Sequence, residues 1–341
     1  MDSAVAICFF LQKCRFFTVF FLNFGILRSS EIMLRGISRI RLISLALGIL
    51  FSSEIFAFDH IQILKKDSLI HSLDQPYAIS GAYGEGNHFF VVNDQDSVIY
   101  RLGWSQLSPG RSSSKLSEFK KLDTMYGYYS YAKKIKGSKK LDLEGVTSCK
   151  TSQGFVFYVV NEQNGDLLKI EFNPLLKQDV LTKLNIDYEN FPDFRYDEGN
   201  DGFMGVTTDC NKGRMFVAKQ KNPNIFFEID LRANKVVHAH DLSTGDEVQD
   251  DISDLFFKDN QLFILQKNKT SILVVNPYKV VSDPDFKIKN YDYSAISKFT
   301  TRDEKGVAEG LVVQGQSIYL FMDSQRVTHQ KTKDVIVELK I

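Results

Sequence analysis

The chain has 341 residues, 43% of them hydrophobic and 25% charged, with 42 basic side chains balanced by 42 acidic ones. That is the composition of a globular protein rather than a disordered one. So balanced a surface excludes nucleic acid as the main partner, because phosphate binding needs a cationic footprint.

At the N-terminus lie two apolar stretches. The first, Ala4 to Leu27, is interrupted by Lys13 and Arg15. The second has the layout of a secretory signal: Arg35, Arg39 and Arg41 form a basic region, Leu42 to Phe51 an apolar one, and Ile55-Phe56-Ala57 a cleavage site. Its apolar part is shorter than the ~20 residues that span a bilayer. The reading is an upstream extension over 1–32, with translation starting at Met33 (a membrane segment at 16–27 is the competing reading). A signal peptide follows over 33–57, then a single domain over 58–341. The expected location is the periplasm, the cell surface or the medium, with membrane contact only through the N-terminal segment if it stays uncleaved. Cys8 and Cys14 fall in the leader, which leaves Cys149 and Cys210 as a pair that an oxidising compartment permits to bridge.

From Phe58 onward short apolar runs alternate with Gly, Asn and Asp turns, the signature of many short strands. A two-strand unit recurs five times. Ser80-Gly81-Ala82 leads to His88–Val92, then Val98–Leu102. Glu144-Gly145-Val146 leads to Phe155–Val160, then Leu167–Phe172. Met204-Gly205-Val206 leads to Arg214–Ala218, then Ile225–Ile229. Ser253-Asp254-Leu255 leads to Gln261–Leu265, then Ile272–Val275. Glu309-Gly310-Leu311 leads to Ser317–Phe321, then Val335–Leu339.

The openings are 64, 60, 49 and 56 residues apart, close to the about 40–50 of a four-stranded propeller blade plus insertions. The polar residue ending each second strand follows its opening by 14, 18, 15, 13 and 14 residues, a regularity that disfavours a β-sandwich with coincidental turns. The predicted fold is therefore an all-β propeller of five blades, with six as the alternative if terminal strands form another. Ile61–Ile70 is expected to pair with Val335–Leu339 and close the ring. Met125–Lys140 and Lys183–Asn200 read as insertions, where specificity tends to reside.

The openings Asp142-Leu143-Glu144-Gly145-Val146, Ser253-Asp254-Leu255 and Ala308-Glu309-Gly310-Leu311 resemble the SdiA-regulated family of exported bacterial propellers and, more distantly, the esterase-like phytase propellers. The resemblance runs over about residues 75–340. It implies a propeller, export and a bound calcium ion. Met204 departs from the pattern where Glu is expected.

In such a ring the inner strands project equivalent side chains toward the axis: Ser80, Glu144, Met204, Ser253 and Glu309 at the openings, and Asp94, Glu162, Lys219, Gln266 and Asp323 at the second-strand ends. Converging carboxylates repel unless a cation or buried partner intervenes, and oxygen donors suit Ca²⁺. Glu144 and Glu309, with Asp142, Asp94, Glu162 and Asp323, are the candidate metal or ligand set. The alternative, left open here, is that each Glu bonds the next blade's backbone and only registers the blades.

The acidic runs Asp197–Gly202 and Asp246–Asp251 lack EF-hand spacing, and His238-x-His240 lacks a third ligand. No nucleophile-elbow, zincin, Walker or dinucleotide motif occurs. The functional expectation is a calcium-stabilised binding protein of the cell envelope, its partner a small molecule or an envelope protein. The alternative is a phytase-like, metal-dependent phosphoesterase working in the central channel. Cys149 and Cys210 follow the openings of adjacent copies by five and six residues, near equivalent positions, so an inter-blade disulfide is expected.

Overall fold

Each opening motif begins the innermost strand of a four-stranded blade, and these strands are buried on both faces over nearly their whole length. The structure is a computed structural model that describes residues 58–63, 69–107, 113–128, 140–191, 202–220, 225–242, 251–279, 288–293, 307–323 and 333–341. The leader at 1–57, Asp197–Asp201 and Asp246–Asp250 lie outside the described residues.

Two N-terminal strands, β1 (Phe58–Ile63) and β2 (Leu69–Ser72), precede the first blade. Blade 1 holds β3 (Ile79–Glu85), β4 (His88–Asn93), β5 (Val98–Gly103) and β6 (Ser117–Lys121). Blade 2 holds β7 (Leu143–Thr151), β8 (Gly154–Asn161), β9 (Asp166–Asn173) and β10 (Gln178–Lys183). Blade 3 holds β11 (Phe203–Asp209), β12 (Arg214–Lys219), β13 (Ile225–Asp230) and β14 (Lys235–Asp241). Blade 4 holds β15 (Ile252–Lys258), β16 (Gln261–Gln266), β17 (Ser271–Val275) and β18 (Ile288–Asp292). Blade 5 is built from β19 (Val307–Gln314), β20 (Ser317–Asp323), β21 (Val335–Lys340) and β2. The terminal strands thus complete the fifth blade and make no sixth.

Ring closure differs in part from the sequence expectation. Among the described residues, Leu69–Ser72 pairs with β21, antiparallel, from Leu69 opposite Glu338 to Ser72 opposite Val335. The preceding Phe58–Ile63 runs parallel to β18 as a fifth strand on blade 4. Strand addition there covers a ladder edge that would otherwise be open.

The inner strands β3, β7, β11, β15 and β19 adjoin one another around the axis. Every one carries a register shift at its opening: after Ile79, Leu143, Phe203, Ile252 and Ala308. A bulge re-aims the local side chain and increases twist, which explains why the same short motif recurs. Glycine follows because neighbouring backbones nearly touch. A Cβ on Gly81 would lie 2.6 Å from the Glu144 carbonyl oxygen, and one on Gly205 2.6 Å from the Leu255 nitrogen.

Between blades the core is aromatic. Phe89 of blade 1 packs edge-on against Tyr319 and Phe321 of blade 5, with ring centroids 5.2 and 5.3 Å apart. Phe90 meets Phe157 of blade 2 at 5.0 Å, and Phe216 of blade 3 stacks on Phe257 of blade 4 at 5.4 Å. Burial stabilises each such ring by roughly 2–3 kcal/mol, so the blades hold together mainly through these contacts.

Candidate functional site

The antiparallel register brings the start of each inner strand beside the end of the second strand, at one mouth of the axis. The pairs are Ile79 with Asn93, Leu143 with Asn161, Phe203 with Lys219, Ile252 with Gln266 and Val307 with Asp323. All five second-strand ends are polar and buried, and the bulge residues Ser80, Glu144, Met204, Ser253 and Glu309 are buried too, Met204 being the apolar one. Two equivalences drawn from the sequence shift by one: Asn93 and Asn161, not Asp94 and Glu162, stand level with Lys219, Gln266 and Asp323. The reason lies in the turn. Asn161 accepts from the Asp142 amide at 3.0 Å and donates to Asn164 Oδ1 at 2.9 Å. Asn93 donates to the Tyr77 carbonyl at 2.9 Å and accepts from the amides of Gln95 and Asp96. A neutral Asx side chain organises each turn, and the charged residue comes immediately after it.

The predicted carboxylates separate into distinct environments. Asp142, Glu144 and Glu162 converge, each offering an oxygen within 4.8 Å of the others; among the described residues they form the one such group of potential metal ligands. Glu144 is buried while Asp142 and Glu162 are half-buried. The turn from Asn161 to Asn164 positions Glu162, whose amide donates to the Asp142 carbonyl at 2.9 Å. Nearby positive charge favours the ionised form of such a group, and carboxylate oxygens are the ligand type of hard cations such as Ca²⁺, which takes six to eight oxygens in all.

Glu309 lies elsewhere. It is buried in blade 5 and ion-paired with Lys267, which follows the end of β16 in blade 4. Asp323 is buried at the end of β20 and Asp94 is half-buried after β4; neither joins the blade 2 group.

Asp254 and Lys267 lie outside the candidate ligand set of the sequence. Asp254 occupies the opening of blade 4 where the other four blades have glycine. Its Oδ2 accepts from the amides of Leu311 in blade 5 at 2.8 Å and Ala82 in blade 1 at 3.3 Å, and Oδ1 accepts from Leu255 at 2.8 Å. Complete burial pushes this carboxyl well above the usual range, against the pull of the three amides, and the Glu309 charge adds to the rise. The exception in the glycine pattern was the signal that marked it.

At the opposite ends of the inner strands Cys149 and Cys210 are joined as a disulfide, with Cα atoms 5.6 Å apart, tying blade 2 to blade 3. His238 is exposed and His240 buried, so the alternating pair does not present two equivalent ligands to one metal.

The model of the SdiA-regulated family matches residues 131–283, a stretch containing the Glu144, Met204 and Ser253 openings. No curated protein matches the chain. Among solved structures, glutaminyl cyclase of Myxococcus xanthus is 12% identical, with a TM-score of 0.49 over 82% of this chain and 99% of that one. A luciferin-regenerating enzyme is 8% identical, with a TM-score of 0.47 over 80% and 95%. PQQ-bound aldose sugar dehydrogenase of Streptomyces coelicolor is 9% identical, with a TM-score of 0.43 over 81% and 99%.

Proposed function

We propose that this chain, which the SdiA-regulated family model matches over residues 131–283, is a calcium-stabilised binding protein of the cell envelope, with its cation held by Asp142, Glu144 and Glu162 on blade 2. The observation that carries the reading is the approach of those three carboxylates to within 4.8 Å of one another. All their donor atoms are oxygen, the ligand type that suits a hard cation such as Ca²⁺ better than a softer metal.

The partner is a small molecule or an envelope protein, and the location is the periplasm, the cell surface or the medium. The signal-like segment ending at Ala57 supports export, and so does a disulfide, which persists in oxidising compartments. N-terminal sequencing of the mature protein should begin at Phe58. The phosphoesterase reading lacks comparable support: Lys267 is engaged by Glu309 and Lys219 is buried, so no cationic cluster for a phosphate group stands at this mouth among the described residues.

The test is thermal denaturation of EDTA-treated protein titrated with CaCl₂. Ligand at a hundredfold over its Kd stabilises by about 2.7 kcal/mol, so the midpoint should climb with calcium, and Glu144→Gln should abolish the climb. An unchanged midpoint in EDTA and in calcium would remove the cation from the picture.

A further inference from the structure

The end of blade 2 opposite the acidic mouth is built for different surroundings. Strands β7 to β10 are antiparallel, so the β7–β8 and β9–β10 turns emerge together, at the far end from Asp142, Glu144 and Glu162. The β9–β10 turn reads Asn173-Pro174-Leu175-Leu176-Lys177, with leucines where a solvated turn ordinarily has polar residues or glycine. Leu175 is 91% exposed and Leu176 46%, with Phe172 just before the turn at 44%. Large apolar side chains gathered at one tip make a patch, unlike the scattered single ones of an ordinary surface.

Cations stand on the same side. Lys150 and Lys177 are exposed at the two turns of blade 2. Arg232 is exposed at the β13–β14 turn of blade 3, which the Cys149–Cys210 bridge ties to blade 2 at this end. None of the three has a carboxylate partner among the described residues. The backbone of the tip, meanwhile, suits an apolar medium, where every unpaired N–H is costly. Pro174 has no N–H, and Asn173 Oδ1 accepts from the Leu175 amide at 2.9 Å and the Leu176 amide at 3.1 Å. The turn thus satisfies its own donors while its leucines stand out in solvent.

We propose that this end of the domain docks on an anionic lipid bilayer. Leu175 and Leu176 enter the boundary between headgroups and acyl chains, Phe172 follows them, and Lys150, Lys177 and Arg232 face lipid phosphates. An apolar tip flanked by Lys and Arg has the composition of an interfacial anchor, and cations near the surface draw a protein to anionic lipid. A stable protein interface buries roughly 800 Å² a side, far more than one short turn offers, whereas a bilayer needs no matching surface. Docked in this way, the domain turns its acidic mouth away from the lipid.

This goes beyond the calcium reading and is independent of it, since the carboxylates lie at the other end of blade 2. The experiment co-sediments the exported protein with vesicles of equimolar phosphatidylglycerol and phosphatidylcholine, and with vesicles of phosphatidylcholine alone. The wild type should pellet with the anionic vesicles and far less with the neutral ones. In about 1 M salt, where the Debye length shrinks to roughly 3 Å, the anionic binding should fall. Leu175→Ser/Leu176→Ser should lower the partition coefficient on anionic vesicles about tenfold or more. Lys150→Gln/Lys177→Gln/Arg232→Gln should remove the preference for them. All five side chains are exposed, so both variants should keep the wild-type thermal midpoint. Glu144→Gln should bind vesicles as the wild type does, so that failure of the cation reading and failure of this one are separable. Absence of the wild type from the anionic pellet, the result if the tip serves a protein partner instead, would overturn the proposal. So would undiminished binding by the leucine variant, or equal binding of the wild type to both kinds of vesicle.

Discussion

The Asp254 carboxylate accepts a hydrogen bond from the Leu311 amide at 2.8 Å, so blade 4 grips blade 5 through a side chain, whereas glycine openings elsewhere bring backbones together directly. The same oxygen reaches Ala82 of blade 1, so one carboxyl ties three blades at the axis.

Asp254→Ala should leave three buried amides without acceptors. At about 1–3 kcal/mol each, the loss should be several kcal/mol in a urea titration. Asp254→Asn keeps one acceptor oxygen for Leu311 and Ala82 and should cost about 1 kcal/mol through the Leu255 bond. The pH dependence has a definite sign. A carboxyl whose folded pKa is raised favours its protonated form in the fold. Its contribution is full below the unfolded pKa near about 4 and declines as pH rises toward the folded value. Asp254→Asn should therefore flatten that decline. An equal slope in both proteins would show that Asp254 does not titrate in this way.

Gly205→Ala would set a methyl group 2.6 Å from the Leu255 nitrogen and 2.8 Å from the Asp254 Cα, both backbone atoms that cannot turn aside. Overpacking of this kind costs about 1–3 kcal/mol. At Gly86 nothing lies within 4 Å, and only the φ of +58° resists alanine, at about 1–2 kcal/mol. A larger drop in chemical-denaturation midpoint for Gly205→Ala than for Gly86→Ala is expected. The reverse order would deny that blade contact demands the opening glycine.

How far the sequence reveals this fold follows from what each signal measures. The openings were legible because a bulge and a close backbone approach demand the same short motif at Ser80, Glu144, Met204, Ser253 and Glu309. Asp94 and Glu162 were placed one position off. Charge marks them in the sequence, but ladder register is set by main-chain pairing, which makes the neutral Asn93 and Asn161 the equivalents. The Glu309–Lys267 pair crosses from one blade to the next over 42 residues, and no local pattern announces it. Asp254 stands in the sequence as a break in the glycine pattern, but its role is not legible there, since its three acceptor bonds exist only once the ring closes. The parallel pairing of Phe58–Ile63 with β18 likewise depends on which blade edge lies open, which the chain order does not state.

His240 stacks on Phe226 with ring centroids 4.4 Å apart and planes at 12°. Burial, followed by the neighbouring His238 charge, lowers its pKa from 6.5 to about 4. The fold therefore holds it neutral. Its contribution is present above about 6.5 and is lost as pH falls toward 4, by up to about 3 kcal/mol. His240→Phe should remove that part of the acid sensitivity between pH 6.5 and 4. Identical stability profiles for the two proteins would contradict the assignment.

The disulfide between Cys149 and Cys210 spans 61 residues. A cross-link closing such a loop stabilises by about 4 kcal/mol in the chain-entropy model. Reduction, or the Cys149→Ser/Cys210→Ser double substitution, should lower the denaturation midpoint accordingly. Alkylation of the unreduced mature protein should leave its mass unchanged, and a mass showing two modified thiols would reject the bridge.

The most direct test of the proposed function is the calcium content of the mature protein, measured by elemental analysis after EDTA treatment, refilling with CaCl₂ and removal of unbound ion. One tightly held calcium per chain is expected in the wild type and none in Glu144→Gln, with Glu309→Gln retaining its ion because Glu309 is held by Lys267. Absence of calcium from the wild type, or the same content in wild type and Glu144→Gln, would contradict a cation site on blade 2.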